Sequence, residues 1–110
     1  MKKSLLNLSP LTEATFYILL ALREPLHGYG IIKQVEEMTN KRLKLAAGTL
    51  YGAIQKLFKY KLISLFSEDE ANKKKKEYHI TTLGTELLNY EIKRLKEMVK
   101  NATKRGEKQL

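Results

Sequence analysis

The chain has 110 residues, 43% hydrophobic and 30% charged, with a formal net charge of +9. That length suits one compact domain with at most an appended helix, and the apolar fraction argues against wholesale disorder. The longest apolar stretch, Ala14 to Leu22, is far short of the roughly 20 residues that cross a bilayer. Asn7, Pro10 and Glu13 interrupt any signal-peptide core after Lys2 and Lys3, so no membrane partner is expected. There is no cysteine, which excludes disulfides and thiolate–metal sites and makes a reducing cytoplasm the expected setting. His27 and His79 are too few for an ordinary zinc site.

The charge is unevenly placed. No carboxylate lies between Glu37 and Glu68, whereas Lys41, Arg42, Lys44, Lys56, Lys59 and Lys61 all do. Through Lys73-Lys74-Lys75-Lys76 the middle third holds ten bases against Glu68, Asp69 and Glu70, seven of the nine net charges. One lysine run is usually a solvated face. An excess sustained across several elements repels itself unless a polyanion answers it.

Ser9-Pro10 is a helix-start signal, and Leu11, Thr15, Ile18, Leu19 and Leu22 recur at helical spacing, predicting a first helix over about 10–23 that Pro25 stops. Gly28 and Gly30 loosen the connection. Ile31, Ile32, Val35 and Met38 then mark a second helix with Glu36 and Glu37 outward, followed by a basic turn from Asn40 to Lys44. A third helix is predicted over about 46–60. Advancing about 100° per residue from Ile54 groups Leu50, Leu57 and Phe58 on a core face. Gly48, Thr49, Gly52, Gln55, Lys56 and Lys59 fall on the opposite face, which is small, polar and basic, with Tyr51 at the boundary.

Leu62 to Ser67 and Glu77 to Thr81 read as two strands of a hairpin with a polar tip. Thr81 or Thr82 caps a last helix in which Leu88, Ile92, Leu95, Val99 and Ala102 form an a/d seam over two heptads, with Lys93, Arg94, Glu97 and Lys100 on the other side. Beyond Thr103 the tail is polar and expected to fray. The fold class is therefore mainly α with a small β-hairpin (α+β): a winged helix-turn-helix over 1–82, then a C-terminal dimerisation helix and tail over 83–110.

Four runs also carry a family likeness: His27-Gly28-Tyr29-Gly30-Ile31-Ile32, Ala47-Gly48-Thr49-Leu50-Tyr51, Leu62-Ile63, and Tyr78-His79-Ile80-Thr81-Thr82-Leu83-Gly84. In order and spacing they closely resemble the PadR family of transcriptional regulators, over about residues 5 to 85. The short single helix after the wing looks like the compact branch of that family. The resemblance implies a cytoplasmic homodimeric repressor, sometimes released by small aromatic molecules. Three departures stand out. Lys61 replaces a common glycine before Leu62-Ile63; Gly52 replaces a larger polar residue; and there is no tryptophan to stack a flat drug.

In such a motif the second helix enters the major groove of duplex DNA. That assigns Ala47, Gly48, Thr49, Gly52 and Gln55 to the base edges, where Gln55 suits adenine and the Thr49 methyl a thymine methyl. Thr49 is equally suited to capping the helix, and Gly52 either admits a close backbone approach or is a tolerated weak spot. Lys44, Lys56, Lys59 and Lys73, Lys74, Lys75 and Lys76 of the wing are assigned to phosphates. Tyr29 and Tyr51, at the family's motif tyrosines, are implied phosphate donors or else packing residues. A palindromic operator requires a dimer, for which Leu5, Leu6 and Leu8 and the seam Leu88, Ile92, Leu95, Val99 and Ala102 are the candidate interface. An aromatic effector would sit there beside Phe16, Tyr17 and Tyr90. His27 and His79 read as structural, no carboxylates make an acid/base pair and no serine has a base, so neither enzyme activity nor a cofactor is expected. Two other readings are a protein-interaction adaptor using the last helix, and an RNA-binding winged helix.

Overall fold

Thr12 starts the first long helix. In the computed structural model, which describes residues 2–67 and 76–109 and side chains through residue 104, a short α1 (Lys3–Leu6) precedes α2 (Glu13–Ala21). Thr12 Oγ1 accepts from the Thr15 N–H at 3.2 Å, satisfying a free first-turn donor. The expected start at Ser9-Pro10 is thus displaced by three residues. The Ser9 hydroxyl is engaged elsewhere, donating to Glu91 at 2.8 Å.

The next elements are β1 (Leu26–His27), α3 (Gly28–Met38) and α4 (Ala47–Lys59). Beyond α3, Asn40 and Lys41 take φ of 50° and 66°. The Lys41 and Asn40 N–H groups return to the Glu36 and Glu37 carbonyls, the paired closure of a Schellman turn. The buried Thr39 hydroxyl steadies this corner, donating to the Val35 carbonyl at 2.9 Å and accepting from the Leu43 N–H at 3.1 Å. Leu50, Ile54 and Leu57 of α4 are buried as the wheel requires. Phe58 is not. It remains 45% exposed because the sheet, not the helical core, lies on its side, and its ring meets Tyr78 edge-on at 6.4 Å.

The wing strands are β2 (Ile63–Ser67) and β3 (Glu77–Ile80). They pair antiparallel with Ile63 opposite Ile80 and Leu65 opposite Tyr78, and a register irregularity falls between Leu65 and Ser67. β1 adds to the far side of β3 through Leu26 opposite Tyr78, making a three-stranded sheet in the order β1-β3-β2. The hairpin expected from sequence is present, and the third strand is the addition. Two residues are too few to show an alternation.

Lys61 turns the chain from α4 into the wing with φ 60°, the left-handed region that glycine favours. Its N–H and that of Leu62 close on the Phe58 and Leu57 carbonyls, again a Schellman pair. The turn is made without the family's glycine, at the expense of local strain. Above it, the Thr81 hydroxyl donates to the Lys61 carbonyl at 2.7 Å and accepts from the Gly84 N–H at 3.0 Å, capping α5 (Thr82–Gln109). A Cβ on Gly84 would lie 2.1 Å from the Leu62 carbonyl oxygen, so glycine is required where α5 crosses this turn.

Ile18, Leu19, Leu22, Ile31, Leu50, Leu62, Leu87 and Leu88 are the fully buried heart of the core. α5 therefore enters the core with its first turns, then leaves it in a molecule 60 Å long. Glu91 is at the point of departure. It is 1% exposed and accepts from Ser9 Oγ, the Leu11 N–H and Arg94 Nε, the last at 2.7 Å. Burial pushes its pKa up, but hydrogen bonds from Arg94, Leu11 and Ser9, with the Arg94 charge, outweigh that and hold it below the ordinary value. Arg42 and Glu13 pair at 2.6 Å on the surface, where such a bond is worth little.

Lys61→Gly is expected to raise stability by about 0.5–1 kcal/mol, the relief of a left-handed L-residue less the added freedom of the unfolded glycine. A higher urea midpoint at unchanged slope would show it. The Glu91 contribution has the sign of a depressed carboxylate: fully present above its unfolded pKa and lost as pH falls through the folded one. Wild type should therefore lose more melting temperature than Glu91→Gln on acidification from neutral pH to below the normal carboxylate range.

Candidate nucleic-acid interface

The outer face of α4 is built from what its core stripe leaves over. Ala47, Gly48, Thr49, Tyr51, Gly52, Gln55, Lys56 and Lys59 are all exposed. A Cβ built at Gly48 or Gly52 would meet nothing within 4 Å, so no packing inside the chain requires either glycine. The N-cap residue is Ala46, with no side-chain hydrogen bond, so Thr49 is not the cap of this helix and its hydroxyl and methyl face outward. The first-turn N–H groups of α4 are left for an outside acceptor.

Tyr51 lies against the start of α3. A Cβ on Gly28 would lie 2.6 Å from its hydroxyl oxygen, so a larger residue there would push the Tyr51 side chain aside. Tyr51 is still about half exposed. Tyr29 stands 63% exposed beside the His27 ring at 6.4 Å, with Lys33 Nζ 5.5 Å from its own ring centre. Lys44, on the turn before α4, is exposed as well.

Along the C-terminal half of α4, Gln55, Phe58 and Lys59 form one wall of an open groove, and Leu65, Tyr78 and Lys76 of the wing form the other. Of the expected residues, Gln55 and Lys59 of α4 and Lys76 of the wing meet at this groove. Lys73, Lys74 and Lys75 lie outside the described residues.

The expected dimer contacts divide into three groups. Leu5 and Leu88 are buried within their own chain, so the structure places them in the core rather than on an interface. Leu8 and Ile92 are partly buried against that core. Leu6, Leu95, Val99 and Ala102 are exposed, as is Met98 between them. The seam divides because α5 enters the core with one half and projects with the other. Of the three aromatic residues considered for an effector, Phe16 lines an apolar depression with Ile92, Leu95 and Val99, flanked by Lys96 and Lys100. Tyr17 packs edge-on against Phe16 at 5.7 Å, and Tyr90 is 40% exposed.

Sequence reading missed the Glu91 cluster. Its only signal was a carboxylate three residues before an arginine, a spacing common on solvated helices. Among the described residues, no helix is long and apolar enough to cross a membrane.

The sequence matches the family model described as "Transcriptional regulator PadR-like family" over residues 18–90. Among solved structures, a PadR family transcription regulator from Clostridium difficile is 24% identical, with TM-score 0.72, covering 84% of this chain and 97% of its own. A PadR-like transcription factor from Bacteroides fragilis is 26% identical, with TM-score 0.67, covering 82% and 85%. BpsR of Bordetella bronchiseptica, described by regulation of its DNA binding by 6-hydroxynicotinic acid, is 22% identical, with TM-score 0.68, covering 92% and 67%. No curated protein matches the chain by sequence.

Because no atom fills the space beside Gly52, Gly52→Ala should raise stability by about 1 kcal/mol through helix propensity alone. A thermal melt lowered by the substitution would show a packing role that the geometry does not contain.

Proposed function

This chain belongs to the PadR-like family of transcriptional regulators, and from that premise we propose that it is a cytoplasmic homodimeric repressor gripping a palindromic operator. The observation that carries the reading is the outer face of α4, which combines small residues, one amide and two lysines. It lies within an interval of sequence free of carboxylates. Such a face fits a major groove closely and is neutralised by phosphates.

Residue roles follow from position along α4. Ala47, Gly48, Thr49 and Gly52 approach the bases by backbone and small side chains, and Gln55 is the one extended reader. With so few readers, sequence-dependent shape of the duplex supplies much of the specificity. Lys44, Lys56 and Lys59 hold phosphates, Tyr29 and Tyr51 donate to them, and Lys73 to Lys76 carry the wing along the backbone.

Residues 1–82 form the DNA-binding unit and 83–110 the dimerisation helix, whose first turns also complete the core. The second protomer covers Leu6, Leu95, Met98, Val99 and Ala102, with Leu8 and Ile92 at the margin. The depression at Phe16 opens on the same face. An aromatic effector there would be held by apolar contact and by Lys96 or Lys100, and the BpsR likeness supports that kind of ligand.

Two measurements test this. The affinity of wild type for duplex DNA should fall steeply and linearly in log salt, and Lys56→Ala with Lys59→Ala should reduce the slope by about 2. Gln55→Ala should instead change preference among operator variants by about 1–3 kcal/mol at one position. Affinity indifferent to salt would contradict the reading. Leu95→Glu with Val99→Glu should halve the mass in solution while each protomer stays folded by circular dichroism, since both side chains are exposed on the single chain. An unchanged mass would place the interface elsewhere.

A further inference from the structure

We propose that Glu91 is a positioning residue that sets the angle at which α5 leaves the winged helix, and so the half-site spacing the dimer accepts. The proposal rests on the regulator reading above and adds to it a determinant of operator geometry.

The carboxylate joins parts of the chain far apart in sequence. Ser9 Oγ and the Leu11 N–H, more than 75 residues before it, donate from the segment leading into α2. Arg94 closes the other side with Nε at 2.7 Å and Nη2 at 3.3 Å. Its Nη1 reaches the Met98 sulfur at 3.1 Å, on the exposed apolar face of α5. The same cluster therefore holds the N-terminal segment, which bears Leu6 and Leu8, and the projecting half of the helix.

Other contacts hold α5 without fixing its direction. Leu87, Leu88 and Ile92 bury apolar surface, which is non-directional and tolerates small rotations. A carboxylate held by two donors of another segment, Ser9 Oγ and the Leu11 N–H, does not, because hydrogen bonds weaken steeply off axis, and Arg94 on α5 itself balances its charge. Thr81 and Gly84 pin the near end, so Glu91 is the second point that defines a line. From Glu91 to Ala102, the last of the proposed interface residues, is about 16 Å at 1.5 Å per residue. A tilt of about 15° would displace that point by about 4 Å, more than the ~3.4 Å between base pairs. Relaxing this joint should loosen the spacing between paired half-sites while leaving each recognition helix intact.

The test begins with the duplex that wild type selects from randomised DNA, followed by versions with one base pair added to or removed from its centre. Wild type should lose at least tenfold in affinity on either change. Glu91→Gln should still sediment as a dimer and bind non-selected duplex as wild type does, yet discriminate between spacings by less than threefold. Ser9→Ala, which removes one donor from a partly exposed residue, should lie between them and decides the matter if the Gln variant does not fold. A merely structural role would lower the melting temperature and all DNA binding together at an unchanged spacing ratio, and that result overturns the proposal. Wild type that selects no paired half-sites would instead overturn the regulator reading, independently of any variant.

Discussion

A carboxylate has been taken out of water where α5 meets the segment before α2, and much of the molecule is arranged to make that tolerable. Burial of an ionised group is costly, and losing a partner in such a site typically costs about 3–5 kcal/mol. Here an arginine, a hydroxyl and a backbone N–H share the charge. The arrangement explains why the first long helix starts late: Ser9 and Leu11 are held by Glu91, and Thr12 is the first residue free to cap. It also explains why α5 leaves the core along a defined line.

A second junction, between α4 and the wing, depends on close backbone approach. Lys61 accepts a left-handed φ, Thr81 bridges its carbonyl to the first turn of α5, and Gly84 lets that turn rest on Leu62. The wing, α4 and α5 therefore meet within a few residues of one another. Apolar burial supplies the bulk of the cohesion, and these polar contacts choose the geometry. The α4 face needs no such support. It is held by Leu50, Ile54 and Leu57 beneath, leaving Gly48, Gly52 and Gln55 clear above.

Most of the architecture was legible in the sequence, for identifiable reasons. α3 and α4 have apolar stripes of clear period, and the wing strands alternate or carry β-formers. Glycine spacing and the motif runs pointed to the right family. The errors came where tertiary partners overrode local signals. Ser9-Pro10 is a good start signal that lost to a distant carboxylate. Phe58 satisfies the wheel but faces the sheet, where its ring meets Tyr78 of the central strand. The heptad spacing in α5 does not separate its partners: Leu88 belongs to the core, Ile92 packs against it, and Leu95, Val99 and Ala102 are exposed. β1 is two residues long, below any period. Glu91 could not be distinguished from a solvated i,i+3 partner of Arg94, because its other donors lie some eighty residues away.

The most direct measurement is a hydroxyl-radical footprint on the duplex the wild-type protein selects. Two recognition helices held by a dimer of α5 should protect two stretches on one face of the DNA, about one helical turn or roughly 34 Å apart. Each should be flanked by protection across the minor groove where the wing lies. A single protected stretch, or uniform protection around the duplex, would contradict a paired α4 interface.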